Sequence, residues 1–253
     1  VMNEDFRRIA GSPGFGPGVD VEIEFCMAQT DPSGNPTNGI NRVNLGQASW
    51  TRTQIESNAK PATQWNPNEY LNMWSARFGG ADAGLLGYAQ FPDASGLAGM
   101  PASGGAANTD GVVMAFTAFG SSDIYPEGTY GAPYDKGRTT THEVGHWLGL
   151  RHIWGDGGCT VDDFCADTPA AAGPNYGCPT GADSCAGNGP DQIENYMDYT
   201  DDTCMDRFTQ NQKDRMLVVM SLSPRRASLA SSTKCLAPAP FIQFGNPTGS
   251  IIE

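Results

Sequence analysis

The sequence predicts an α+β fold, and three observations lead to this prediction. Apolar segments with the character of strands occupy the first half of the chain. Two helical segments follow, over 136–150 and 209–222. A stretch rich in Gly and Pro, without periodicity, separates these helices. Strands followed by helices with an irregular connection are typical of α+β proteins, whereas α/β proteins alternate the two.

The first half contains four predicted strands and one short predicted helix. Over 19–25, apolar residues alternate with Asp20, Glu22 and Glu24, which is the period-two pattern of a half-buried strand with one acidic face. The short helix is predicted over 51–59, and the other three strands over 70–78, 85–91 and 112–119.

The two long helices carry end signals. In the helix over 136–150, Gly149 lies where a C-terminal glycine ends a helix. Before the second helix, Thr209 and Gln212 have the spacing of a capping box.

Composition and charge restrict the class of protein. The chain has 253 residues and a net charge of −13. This acidity argues against nonspecific binding of nucleic acid, because attraction to phosphate needs a basic face. No apolar run approaches the ~20 residues that cross a bilayer. The chain starts at Val1 without a basic and apolar leader, so we expect Val1 to be a processed or cloned start.

Acidic residues and cysteines concentrate in one loop, over 156–206. It holds eleven Asp and Glu residues, no Lys, Arg or His, and five of the seven cysteines. Disulfides and bound cations are the two means that would fix such a loop. Bridges indicate an oxidising compartment, so we expect a secreted protein. Seven is an odd number, and we expect the free thiol to be Cys26, within the predicted strand.

The segment HEVGHWLGLRH, over 142–152, has the spacing of metal ligands. His142 and His146 are four residues apart, so their imidazoles lie on one helix face. Glu143 then lies beside the metal, where it can take a proton from water. Gly149 lets the chain turn so that His152 approaches the same ion. Three imidazoles leave one position open, which is typical of a catalytic zinc site.

Chance is a poor explanation for this pattern, since the chain has only three histidines and all lie in this segment. The segment resembles the extended motif HExxHxxGxxH of the metzincin peptidases. Those enzymes also have a methionine turn, and NYMDY places Met197 and Tyr199 there. Residues 195–209, 167–169 and 176–181 make the chain similar to the pappalysin family of metzincins.

The pappalysin resemblance implies a domain arrangement, two disulfide bridges and structural calcium. It implies one catalytic domain over 1–253, with a twisted, mostly parallel mixed sheet and the zinc helix in an upper part, about 1–150. The lower part, about 151–253, would hold the irregular loop, the methionine turn and the C-terminal helix. The implied bridges are Cys159–Cys185 and Cys178–Cys204; Cys165 and Cys235 receive no family partner. Structural calcium is also implied, with candidate ligands Asp162, Asp163, Asp167 and Thr168.

The implied activity is zinc-dependent hydrolysis of peptide bonds in protein or peptide substrates, by a monomer made with a propeptide. By the same resemblance, Met197 would pack beneath the imidazoles, and Tyr199 would donate a hydrogen bond to the oxyanion. The family prefers Arg or Lys just after the scissile bond, and Asp201, Asp202 and Thr203 are the candidate wall of that pocket.

Two other interpretations remain open at this stage. A gluzincin peptidase shares HExxH but takes a downstream Glu as third ligand, against which His152 and Gly149 argue. A noncatalytic calcium-binding adhesin or structural module would use the Cys- and Asp-rich loop, but it leaves the histidines unexplained.

Overall fold

The computed structural model describes residues 1–238. It contains both short strands and helices, and the predicted α+β class is confirmed. The helices are α1 (Met2–Phe6), α2 (Arg52–Gln54), α3 (Lys60–Thr63), α4 (Arg138–Trp147), α5 (Gln210–Leu222) and α6 (Pro224–Ala227). The strands are β1 (Met73–Ala76), β2 (Gly87–Ala89) and β3 (Val112–Ala115). Within this range, no helix combines the length and apolarity needed to span a membrane.

The described strands form one mixed sheet in the order β1-β3-β2. β1 pairs with β3 in parallel, and β2 pairs with β3 antiparallel. The predicted mixed sheet is confirmed, but parallel pairs do not outnumber antiparallel ones in residues 1–238. Because side chains alternate along a strand, Val112 and Met114 of β3 face one apolar cluster, and Val113 and Ala115 face another.

The predicted strand over 19–25 is wrong, although its burial alternates as predicted. Val21 is buried and Glu22 is exposed. Two of its backbone N–H groups donate to α1 rather than to a neighbouring strand: Val21 donates to the carbonyl of Phe6 at 2.7 Å, and Phe25 donates to the Asn3 side chain at 2.8 Å. A period-two pattern predicts an extended backbone, but it does not predict which part of the chain will accept the hydrogen bonds of that backbone.

Helix α4 is shorter than predicted, since it runs from Arg138 to Trp147 and every residue in it is buried. Gly137 precedes it in a left-handed conformation, with φ +87°. Gly149 follows it at φ +89°, which is the turn that the sequence predicts there. The helix thus lies inside the larger apolar cluster, through Val144 and Trp147.

Helix α5 starts at the capping box predicted from the sequence. The Thr209 hydroxyl accepts from the backbone N–H of Gln212 at 3.3 Å, and the Gln212 side chain accepts from the N–H of Thr209 at 2.9 Å. The same Gln212 amide exchanges two 3.0 Å hydrogen bonds with Asn195. The cap therefore ties α5 to the methionine turn.

Three disulfides cross-link the described chain: Cys26–Cys235, Cys159–Cys185 and Cys178–Cys204. The last two are the pairs implied by the family resemblance. The prediction that Cys26 is free is wrong, since its partner is Cys235, to which the resemblance assigns no partner. Cys165 is the free cysteine, and its burial raises the pKa of its thiol.

Candidate active site

The three histidines converge on one point. Nε2 of His146 lies 3.0 Å from Nε2 of His142 and 3.1 Å from Nε2 of His152. Their ligand atoms all lie within 4.8 Å of one another. In residues 1–238, no other group of three or more His, Cys, Asp or Glu side chains is arranged in this way. The predicted convergence of the i and i+4 imidazoles with a third imidazole from beyond Gly149 is present in the structure.

Hydrogen bonds at the far ring nitrogens show that this cluster fits a cation. Nδ1 of His142 donates to the carbonyl of Tyr196 at 2.6 Å, and Nδ1 of His146 donates to the carbonyl of Leu150 at 2.8 Å. Since Nδ1 carries the proton of each neutral ring, each Nε2 presents a lone pair to the others. Burial lowers the pKa of both rings, that of His146 to about 3. Facing lone pairs repel unless a cation lies between them, and three imidazoles suit zinc.

His152 is oriented by two residues that the sequence analysis did not identify. Its Nδ1 donates to Oδ1 of Asp156 at 2.5 Å, and this hydrogen bond holds the pKa of Asp156 below its ordinary value. The indole of Trp154 stacks on the imidazole, with 4.3 Å between ring centroids and 3° between planes. Asp156 follows His152 by four residues, and this spacing was the one signal in the sequence that could have indicated their contact.

Glu143 lies beside the histidines with an unpaired carboxylate. The side chain is buried, and its Oε2 has no hydrogen-bond partner within the described chain. Burial raises its pKa to about 8. Strand β2 approaches it closely at Gly87, where an added Cβ would lie 2.7 Å from Oε1 of Glu143. Glycine at position 87 is therefore required for the space that this carboxylate occupies, which the sequence analysis missed.

Met197 lies directly under α4. An added Cβ on Gly145 would lie 2.5 Å from the Met197 sulfur, so the sulfur fills the space above this glycine. The turn is fixed by Asn195, whose side chain accepts from the N–H of Met197 at 2.9 Å. Gly145 is the second glycine whose role the sequence analysis missed.

Tyr199 lies at the edge of the histidine cluster. Its ring centroid is 4.9 Å from that of His152 and 5.6 Å from that of His142. Burial raises the pKa of its phenol to about 12, so the hydroxyl retains its proton near neutral pH and can donate a hydrogen bond.

A cavity of about 320 Å³ opens beside Glu143 and His142. Asp202 lines it, whereas Asp201 and Thr203 do not. Asp202 is buried and accepts from the backbone N–H groups of Lys136 at 2.7 Å and of Arg138 at 3.2 Å. Burial raises its pKa to about 6. Of the three predicted wall residues, one lies at the cavity.

The candidate calcium ligands do not converge through their side chains. Thr168 donates to Oδ2 of Asp163 at 2.6 Å, Phe164 donates to Asp162 at 2.6 Å, and Asn211 donates to Asp167 at 2.9 Å. Within residues 1–238, the three carboxylates do not form a cluster of the kind that the histidines form.

The fold and the histidine site agree with comparisons to known proteins. Residues 53–221 match the Peptidase_M43 family, described as pregnancy-associated plasma protein-A. This match covers more than half of the chain, so the chain belongs to that family, which confirms the pappalysin resemblance.

Two similar curated proteins come from fungi. An extracellular metalloprotease of Colletotrichum graminicola is 36% identical over 218 residues, which are 85% of this chain and 64% of that protein. Extracellular metalloprotease 1 of Coccidioides posadasii is 54% identical over 96 residues, which are 38% of this chain and 34% of that protein. The matched regions thus span between about a third and two thirds of these relatives.

A similar solved structure is that of mature mirolysin from Tannerella forsythia in complex with a cleaved peptide. It has a TM-score of 0.74 and 40% identity, and covers 90% of this chain and 84% of mirolysin. A mutant of promirolysin from the same organism gives the same TM-score of 0.74, with 38% identity over 90% of this chain and 74% of promirolysin.

Proposed function

We propose that the chain is a secreted zinc-dependent endopeptidase. The observation that carries this proposal is the convergence of three Nε2 lone pairs beside the unpaired carboxylate of Glu143. His142, His146 and His152 would hold the zinc, which when bound supplies Lewis-acid polarisation of the scissile carbonyl and activation of water. The matched extracellular metalloproteases support this assignment.

Glu143 acts as the general base in this proposal. Its carboxylate borders the same cavity as His142, and no ion pair in the described chain competes for it. The positive charge of zinc held at the three histidines would favour the ionised form of Glu143. In that form Glu143 accepts a proton from the attacking water and returns it to the leaving amine.

Tyr199 stabilises the negative charge that develops on the substrate carbonyl oxygen. Its raised pKa keeps the phenol protonated, and its ring lies against His142 and His152. A hydrogen bond made mainly in the transition state lowers the barrier.

The preferred substrate has Arg or Lys after the scissile bond. Asp202 supplies a carboxylate at the cavity beside Glu143, and a buried acid attracts a basic side chain. The neighbouring Arg138 lies 3.0 Å from Asp5, which balances its charge. Cleavage-site profiling with a peptide library tests this preference: enrichment of Arg and Lys at that position supports it, and no enrichment contradicts it.

Secretion and calcium binding are parts of the same proposal. Three disulfides favour an oxidising compartment, and the matched fungal relatives are named extracellular. The eleven acidic residues of 156–206, without a basic residue among them, favour a structural calcium ion. Calcium titration of the zinc-loaded protein, followed by thermal unfolding, tests this part, since a bound ion raises the melting temperature.

The principal test is hydrolysis by the zinc-loaded protein. We expect casein and Arg-containing peptides to be cleaved, a zinc chelator to stop cleavage, and added zinc to restore it. Glu143→Ala should keep its zinc and lose most turnover. A protein that binds calcium but no zinc, and cleaves nothing, would instead support the noncatalytic calcium-binding module.

A further inference from the structure

Residues 40–49 form an exposed segment without regular structure. All ten residues are exposed, including the apolar Ile40, Val43 and Leu45. The segment borders a cavity of about 1560 Å³, whose lining includes those same three residues. Apolar side chains that face solvent and a large void contribute little packing energy.

The backbone of this segment is not held by the rest of the described chain. Its two hydrogen bonds are local and reach neighbouring side chains: Ile40 donates to Asn38 at 3.1 Å, and Gly46 donates to Asn44 at 2.8 Å. In residues 1–238, no backbone–backbone hydrogen bond involves 40–49. An extended strand of substrate can therefore be presented here without breaking secondary structure.

Arg42 differs from the other basic residues because it is exposed and lies in a segment without backbone–backbone hydrogen bonds in the described chain. Of the fifteen Lys and Arg residues, only Arg42, Arg52 and Arg77 are exposed. Arg52 begins helix α2, and its N–H donates to Asp82. The carbonyl of Arg77 accepts from the N–H of Trp50 at 2.9 Å.

We propose that the Asn41–Arg42 peptide bond is a cleavage site for a second copy of this chain. This rests on the proposed function, because it requires an endopeptidase that accepts Arg after the scissile bond. Water adds across the C–N bond: its oxygen joins the Asn41 carbonyl carbon, and the amine of Arg42 leaves with the proton. Arg42 lines the larger cavity, whereas His142 and Glu143 line the smaller one, and the two cavities share no lining residue. We therefore assign the cut to the active site of a second copy.

The product is a nicked chain that stays in one piece until it is reduced. Cys26 lies before the cut and is bonded to Cys235, which lies after it. Residues 1–41 thus remain covalently attached to 42–253, and α1 keeps its contacts with α4, such as that of Asp5 with Arg138.

The test uses the full chain, with a tagged Glu143→Ala variant as substrate and a small amount of zinc-loaded wild type as enzyme. Reducing gels should show two fragments, non-reducing gels one band, and N-terminal sequencing a new start at Arg42. Placing Arg42→Gln in the substrate should slow cleavage at this bond at least about tenfold. The matched change Arg77→Gln, also exposed but beside a hydrogen-bonded backbone, should leave the rate unaltered.

An Arg-containing peptide, hydrolysed by the same enzyme sample, separates the two ways of failing. If the peptide is cleaved while Asn41–Arg42 stays intact, or while Arg42→Gln is cut as fast as Arg77→Gln, the cleavage site is refuted and the proposed function stands. If neither peptide nor chain is cleaved, both are refuted.

Discussion

Asp156 accepts a 2.5 Å hydrogen bond from Nδ1 of His152. His152 is the least enclosed of the three imidazoles, since His142 and His146 lie on buried α4. The Asp156 carboxylate thus orients the imidazole of His152, which does not lie on a helix. The Nε2 atom of His152 then faces the other two histidines.

Removing this carboxylate should weaken the metal site. We expect Asp156→Ala to lower zinc affinity about 10- to 100-fold, the usual effect of losing a hydrogen-bond partner of a metal ligand. Competition with a chromophoric chelator measures it. Asp183→Ala is the matched control, being an exposed aspartate in the same loop with no hydrogen-bond partner in the described chain; equal affinities for the two variants would refute the role of Asp156.

Gly145→Ala should destabilise the fold, because the new methyl group would meet the Met197 sulfur at 2.5 Å. Overpacking of this kind costs about 1–3 kcal/mol in the free energy of unfolding. Urea denaturation measures the change. Gly173→Ala, where nothing lies within 4 Å of the added atom, should stay within about 0.5 kcal/mol of wild type. If the two variants had equal free energies of unfolding, the Met197 side chain would be able to move away from the new methyl group without destabilising the fold.

Gly87→Ala should impair turnover while zinc stays bound. Its methyl group would lie 2.7 Å from Oε1 of Glu143 and would displace the proposed base. Displacement by about 1 Å can cost ~100-fold in kcat/KM. Peptide hydrolysis and zinc content, measured on one preparation, check this. Unchanged kcat/KM would mean that the position of this carboxylate is not critical.

Asp5 should make stability fall as pH rises between about 4 and 6. Burial raises its pKa to about 6, against the opposing effects of Arg138, Thr141, Tyr196 and the terminal amine. The folded chain then binds more protons than the unfolded chain in this window, so its stability decreases with pH by up to about 1.4 kcal/mol per pH unit.

The matched variant Asp5→Asn cannot titrate. The free energy of unfolding of wild type minus that of Asp5→Asn, measured by urea at several pH values, should therefore decrease from pH 4 to pH 6. A difference that is constant over this range would show that the Asp5 carboxyl has the same pKa in both states.

The disulfide pattern predicts one thiol per chain. Cys165 is buried and free, and the other six cysteines are bridged. A thiol reagent should therefore titrate one group in unreduced protein unfolded by guanidinium and little in the native state. Cys165→Ser should abolish the signal; a thiol that persists in this variant would mean that a bridge is broken.

Local patterns predicted the site better than the fold around it. Helix geometry brings His142 and His146 together, and Gly149 allows the turn that returns His152 to them. The sequence was therefore sufficient to predict the three metal ligands. Asp156 was missed although it is four residues from His152, because its contact depends on the path of the chain after the helix.

Long-range pairing was beyond reach of the sequence. Cys26 and Cys235 are 209 residues apart, and no local signal joins them. The 19–25 segment has the pattern of a strand, but Asn3 and Phe6 take its hydrogen bonds. Gly87 and Gly145 are required by side chains distant in sequence or on another element, Glu143 and Met197.

Anomalous X-ray diffraction at the zinc edge, from crystals of the zinc-loaded protein, locates the ion that the three histidines would hold. We predict one strong peak between the Nε2 atoms of His142, His146 and His152, without a fourth protein side chain as ligand. Imidazoles that point apart, a peak at another position, or a fourth side chain on the ion would show that the three histidines do not form a catalytic zinc site.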